Sequence, residues 1–172
     1  MKYAHVERER RYLFLGGVAG IIPMRKLFIQ DRYLPESTLR LRRIEEEGES
    51  VVFKLGQKIR IGRDHPLKVA HTTMYITEIE FNSFLALPAK LLVKQRSIFP
   101  LGKLHFSVDV FAGELTGLSL AEVDLGAEST THEILPFKKM IEVTGDERFT
   151  GGKLAETSSE ELLLMLTEYG AK

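Results

Sequence analysis

Charged residues recur two apart along several stretches of this 172-residue chain, on segments whose intervening residues are apolar. Arg40 and Arg42 alternate with Leu39 and Leu41, Lys94 and Arg96 form a second basic pair, and Glu122 and Asp124 alternate with Ala121, Val123 and Leu125. Glu7, Glu9 and Arg11 share a face near the start of the chain, although Arg8 and Arg10 charge the opposite face as well. Asp109, between Val108 and Val110, and Lys54, after Phe53, repeat the pattern singly. Side chains two apart on a strand point the same way, so each pair sets like charges side by side. A solvated sheet face mixes Lys, Glu, Thr and Ser; here basic pairs and carboxylate pairs lie on different strands. If the sheet closes on itself, these charges point inward, and such an interior is costly unless something neutralises it. A polyphosphate with a divalent metal would do so. Guanidinium forks grip phosphate oxygens two at a time, and Mg²⁺ is held through one or two carboxylates plus the phosphates themselves.

The elements that must carry these residues are mostly strands. Period-two patterning runs through residues 6–15, 38–43, 50–55, 71–79, 91–97, 103–111 and 118–125. Turn-forming clusters such as Pro35-Glu36-Ser37, Glu47-Gly48-Glu49 and Pro100-Leu101-Gly102 separate them. Seven or eight strands at this spacing predict an antiparallel sheet curled towards a barrel. Residues 59–69 read as a long hairpin loop. Helices are expected over 82–92, limited to about two turns by Pro88, and in a short piece over 131–140. A third is expected at the C-terminus, where Ser158-Ser159-Glu160-Glu161 offers a capping box, Leu162, Leu163, Met165 and Leu166 an apolar face, and Gly170 a stop. The expectation is one mainly β (α+β) domain over residues 1–172 with peripheral helices.

Composition narrows the function classes. The absence of Cys excludes a disulfide framework, thiolate zinc and a cysteine nucleophile. No run approaches 18 uncharged apolar residues and the N-terminus lacks a signal-peptide core, so a cytoplasmic protein without a membrane role is expected. Net charge is zero, and the basic strip over 39–43 lacks interleaved aromatics, which argues against a nucleic-acid partner. The zero conceals a split: residues 1–100 hold 18 basic and 11 acidic side chains, residues 101–172 hold 6 and 13. The five histidines have no ligand-like spacing. Gly151-Gly152-Lys153 lacks the upstream Gly and the following Ser or Thr of a P-loop and reads as a turn.

Taken in order, Glu7-Arg8-Glu9-Arg10-Arg11, Asp31-Arg32-Tyr33-Leu34, Leu39-Arg40-Leu41-Arg42, Val93-Lys94-Gln95-Arg96, Val108-Asp109-Val110-Phe111-Ala112-Gly113 and the segment 117–125 resemble the motifs of the CYTH, or triphosphate tunnel metalloenzyme, superfamily. The segment from Glu142 to Phe149, with Leu154-Ala155, is similar to the family's C-terminal segment. The resemblance implies an eight-stranded antiparallel closed barrel whose tunnel holds a triphosphate. It implies that Glu7, Glu9, Asp109, Glu122 and Asp124 bind Mg²⁺ or Mn²⁺. Arg11, Arg40, Arg42, Lys54, Lys94, Arg96 and Arg148 would bind phosphate, with Arg11 and Tyr33 assisting hydrolysis and Arg148 in the segment closing one mouth. Two departures stand out. Arg11 replaces the motif's lysine, and residues 71–77 carry His, Thr, Met, Tyr and Ile where relatives place an RxExE-like pair of carboxylates.

The function expected is metal-dependent hydrolysis of inorganic triphosphate or another small triphosphate by a monomer or homodimer. Adenylyl cyclisation and non-catalytic polyphosphate or nucleotide binding are the alternatives.

Overall fold

In the computed structural model, residues 4–15, 22–61, 68–102, 104–125 and 139–170 are described. Nine strands form the sheet: β1 His5–Phe14, β2 Arg25–Tyr33, β3 Leu39–Glu46, β4 Val52–Arg60, β5 Lys68–Ile76, β6 Lys90–Leu101, β7 Leu104–Phe111, β8 Ser119–Asp124 and β9 Met140–Glu142. The hydrogen-bonded order is β5-β4-β3-β2-β6-β7-β8-β1-β9, and an additional β5–β1 pairing closes the first eight into a barrel. Every pairing is antiparallel.

The closing strand is shared. β1 pairs through Glu9–Leu13 with β8, while on its other edge His5 to Arg8 pair with β5 and Tyr12 to Phe14 pair with β9. The ninth strand thus takes over where β5 leaves the edge, so the edge is never bare for long.

Register keeps one set of residues inside all the way round. Arg42 lies opposite Asp31 and Lys54, Arg96 opposite Asp109, Arg11 opposite Glu122, and His71 opposite Lys58. Since side chains alternate along each strand, the charged positions of the sequence share the inner face. One end of the barrel is plugged: Leu13, Leu92, Phe111 and Leu120 face inward and pack with Leu115, Leu118, Val143, Phe149, Leu154, Leu162 and Met165. The opposite faces of β1, β6, β7 and β8 bury a second cluster of Tyr12, Phe14, Phe99, Phe106, Val108, Ala121 and Val123.

Helices α1 Glu78–Ser83, α2 Gly151–Leu154 and α3 Ser159–Glu168 lie outside the barrel wall. The C-terminal helix starts as its sequence predicts. The Ser158 side chain accepts from the Glu161 amide and the Glu161 side chain from the Ser158 amide, and Gly170 adopts φ 73° just beyond the last turn. Its inner face is Leu162 and Met165, whereas Leu163 is 65% exposed, not part of the apolar face expected of it.

Three expectations are corrected. Residues 25–33 form a strand the alternation did not disclose, because Phe28-Ile29-Gln30-Asp31 breaks the simple pattern. The helix expected over 82–92 begins earlier, since Thr77 and Glu80 form a capping box; residues from Lys90 onward belong to β6. The loop expected over 59–69 is shorter, because β4 runs to Arg60 and β5 starts at Lys68. Residues 131–138 of the expected short helix lie outside the described residues, and Met140 opens β9.

Phe149 is fully buried in the plug and meets the Tyr169 ring edge-on at 5.6 Å. Phe149→Ala is expected to lower unfolding free energy by about 3–5 kcal/mol, against about 0.5 kcal/mol or less for the exposed Leu163→Ala; urea titration of both variants measures the contrast.

Candidate tunnel site

Inside the barrel, cations and carboxylates are matched atom by atom. At the plugged end Asp31 is fully buried and accepts two parallel bonds from Arg42, Nε at 2.6 Å and Nη2 at 2.7 Å, with Arg40 Nε 3.5 Å away. Asp109, also buried, accepts from Arg96 Nε and Nη2, both at 2.6 Å, and from Lys94 Nζ. Arg96 Nη2 reaches on to Glu122 Oε2 at 2.7 Å, and Arg11 Nε donates to Glu122 Oε1 at 2.9 Å. Arg11 Nη2 lies 3.6 Å from Glu9. Towards the other end, Lys58 Nζ is 3.0 Å from Glu7 Oε2 and 2.5 Å from Glu9 Oε1. His71 Nδ1 sits 2.7 Å from Glu7 Oε1, and Thr73 Oγ1 lies 2.9 Å from His71 Nε2.

These contacts set the protonation states. Burial alone would raise the Glu7 carboxyl, but the His71 hydrogen bond and the Lys58 charge bring it down from 4.5 to about 2. Burial likewise opposes the charge on Asp31, Asp109 and Glu122, yet the facing guanidinium and ammonium groups keep all three below the usual carboxylate range. Lys94 goes the other way: burial and the neighbouring Arg96 push it down to about 8 in spite of Asp109. Tyr33 is raised, first by burial and then by the Asp31 charge, so it stays a phenol at neutral pH.

A cavity of about 350 Å³ opens beside this network. The barrel contributes Glu9, Arg11, Tyr33, Arg40, Gly56 and Lys58, the β2–β3 turn Ser37 and Thr38, and the C-terminal segment Thr144, Glu147 and residues 150–153. Arg40 lines this space with its guanidinium held by Asp31, Nε lying 3.5 Å from Oδ1. Two glycines shape the walls. A Cβ at Gly56 would come 3.4 Å from Arg40 Nη2, and one at Gly151 would come 2.0 Å from the Tyr33 hydroxyl.

Of the residues singled out in the sequence, Glu9, Arg11, Tyr33 and Arg40 line the cavity, and Glu7 adjoins it through Lys58. Arg42, Lys94, Arg96, Asp109 and Glu122 form the buried layer behind. Lys54 stacks 4.6 Å above the exposed Tyr75 ring, away from the cavity. Asp124 is exposed at the strand end and accepts from the Arg8 amide at 3.3 Å. Arg148 pairs with Asp146 and Glu168 and is not among the residues lining the cavity, where its segment presents the charges of Glu147 and Lys153. Asp31, Lys58 and His71 went unremarked as site residues. Lys58 was discoverable, since Lys54, Gly56 and Lys58 continue one face once the strand is drawn past Leu55.

Glu7, Glu9 and Glu122 are hard oxygen donors of the kind Mg²⁺ and Mn²⁺ prefer. Each of their oxygens, however, already faces a nitrogen of Lys58, His71, Arg11 or Arg96. Among the described residues no three His, Asp or Glu side chains converge as an open metal cluster. As arranged, the donor set does not fit a resident divalent ion.

The closed antiparallel barrel is shared with solved structures. Among solved structures the chain is similar to the inorganic triphosphatase NE1496 at 24% identity, covering 88% of this chain and 95% of that one with a TM-score of 0.57. A second structure of NE1496, described as a hypothetical protein, gives 24% identity, 88% and 99% coverage and a TM-score of 0.58. A conserved hypothetical protein from Pyrococcus furiosus shares 12% identity over 96% of this chain and 91% of that one, with a TM-score of 0.50. No protein-family model and no curated protein matches the chain. No helix among the described residues is long and apolar enough to cross a membrane.

Two outcomes follow from this geometry. Because Glu7 is depressed in the folded protein, its contribution to stability is complete above about pH 4.5 and is lost as pH falls towards about 2. Glu7→Gln should therefore flatten the acid limb of stability in that window, measured by urea unfolding at a series of pH values. Gly151→Ala forces Tyr33 to move and is expected to cost about 1–3 kcal/mol, read as a lowered melting temperature.

Proposed function

We propose that the tunnel binds a small triphosphate and hydrolyses it, with inorganic triphosphate as the simplest substrate. The observation that carries this reading is the Arg40 guanidinium, held by the buried Asp31 carboxylate and set against a cavity of about 350 Å³. Arg11 and Lys58 add positive charge to the same walls. Fixed guanidinium and ammonium donors match a chain of phosphate oxygens, and they hold their positions because buried carboxylates tether them from behind. The shared fold with a protein identified as an inorganic triphosphatase supports the same substrate class.

In this reading Arg40 and Arg11 grip non-bridging oxygens and take up charge as the terminal phosphoryl group departs. Tyr33, held as a phenol, donates a hydrogen bond to the phosphate chain. Water adds to the terminal phosphorus, the bridging P–O bond breaks, and orthophosphate and diphosphate leave; Glu9, at the cavity wall, receives the water proton. A Mg²⁺ or Mn²⁺ ion that accompanies the triphosphate is part of the substrate.

Phosphate release from inorganic triphosphate, followed with Mg²⁺, with Mn²⁺ and with chelator, tests the reading. Arg40→Ala should reduce kcat/KM by about 10²-fold, the scale of losing one fixed oxyanion donor. A wild-type rate no greater than that of the Glu7→Gln, Glu9→Gln double variant would overturn it.

A further inference from the structure

The carboxylates Glu7 and Glu9 would be the natural seat of a divalent ion, yet a protein cation already spans them. Lys58 Nζ touches one oxygen of each, His71 Nδ1 takes the other oxygen of Glu7, and Arg11 Nη2 faces the other oxygen of Glu9. On β5, where the family motif would set further carboxylates, the inward positions are His71, Thr73 and Tyr75. Nothing on that wall offers anionic oxygen to a metal, and a divalent ion at Glu7 and Glu9 would sit against Lys58, His71 and Arg11.

We propose that the Lys58 ammonium is a built-in substitute for the divalent cation at Glu7 and Glu9, and that the tunnel therefore takes an anionic phosphate ligand without a resident metal. Lys58 suits that role in three ways. It lines the cavity, so it faces an incoming ligand. Its side chain is 35% exposed, less sealed than the Lys94 ammonium at 8%, so a ligand can reach it. An ammonium has three donors, and Glu7 and Glu9 use two of them, leaving one for a phosphate oxygen. Two features of the wall agree: the inward positions of β5 carry no carboxylate and a cation on β4 is fixed against Glu7 and Glu9, both of which reduce what a metal would find. The identity of the ligand as a triphosphate rests on the function proposed above; the exclusion of metal by Lys58 does not.

The test separates the two. Mn²⁺ alone, with no phosphate present, is titrated into wild type, Lys58→Gln and Lys58→Arg, with free Mn²⁺ followed by electron paramagnetic resonance. Wild type and Lys58→Arg should leave Mn²⁺ free, while Lys58→Gln should bind it and lose that binding when Glu7→Gln is added. Equal Mn²⁺ uptake by wild type and Lys58→Gln overturns the proposal, as does its absence from both. Wild-type uptake that disappears in Glu7→Gln overturns it without any Lys58 variant, should Lys58→Gln fail to fold.

In a second arm, calorimetry with inorganic triphosphate in chelator should show wild-type binding, weakened about 10- to 100-fold in Lys58→Gln, the worth of one hydrogen bond to a charged group. Triphosphate binding by wild type that is no stronger than that of Lys58→Gln overturns the proposal. Failure to bind triphosphate under any condition removes the proposed substrate, and the Mn²⁺ titration still decides the role of Lys58.

Discussion

A charge taken out of water must meet its opposite within a few ångströms or the fold does not hold. Inside this barrel the buried carboxylates obey that constraint. Asp31 answers Arg42, Asp109 answers Arg96 and Lys94, Glu122 answers Arg96 and Arg11, and Glu7 and Glu9 answer Lys58. From Lys94 to Glu7 the pairs join into one chain, Asp31 with Arg40 and Arg42 forms a separate group, and each of these guanidiniums is oriented by at least one carboxylate. Such a lattice is specific before it is stabilising: ion pairs of this kind repay little more than their own desolvation, but they leave each cation a single orientation. Preorganised donors of this kind are what a polyanion needs, because they do not have to be reoriented when it arrives.

The apolar parts of the molecule make that interior possible. The plug built by Leu13, Phe111, Leu118, Phe149 and Leu162 shuts one end of the barrel and anchors the segment that closes the cavity. Tyr33 joins the two regions: it packs against the plug, lines the cavity, and lies against Gly151 so closely that no side chain could stand there. The short α2 turn therefore owes its position to a residue of the tunnel wall. A change in the tunnel at Tyr33 would be transmitted to the capping segment by direct contact.

Most of the barrel was legible because period-two alternation is a strong signal where one face is apolar and the other charged. It failed at β2, where an inward Asp31 is followed by outward Arg32 and the alternation of polarity collapses. The register of the charges was legible too: Arg40 with Arg42, Lys94 with Arg96 and Glu122 with Asp124 do share faces. Their partners were not, because pairing depends on which strands become neighbours. β2 beside β6 and β1 beside β5 and β8 are contacts between residues 57 or more apart, and nothing local in the sequence encodes them. That is why the carboxylate partners of Arg42, Lys94 and Arg96 could not be read from the sequence, nor the place of Lys58 between Glu7 and Glu9.

The shared closing strand has a consequence for how the chain reaches this state. β1 precedes the other strands of the barrel, yet it meets its earliest partner at Lys68–His71 and its main partner only at Leu120–Asp124. Meanwhile β2, β3, β4 and β5 can zip as successive hairpins between near neighbours. The stretch from Glu9 to Leu13 must wait, unpaired on that edge, until Leu120–Asp124 has been made. Contacts so far apart in sequence close slowly, and an unpaired strand is where a nascent chain finds the wrong company. The dense alternation of Glu and Arg from Glu7 to Arg11, which serves the tunnel once the barrel shuts, also keeps that waiting strand soluble.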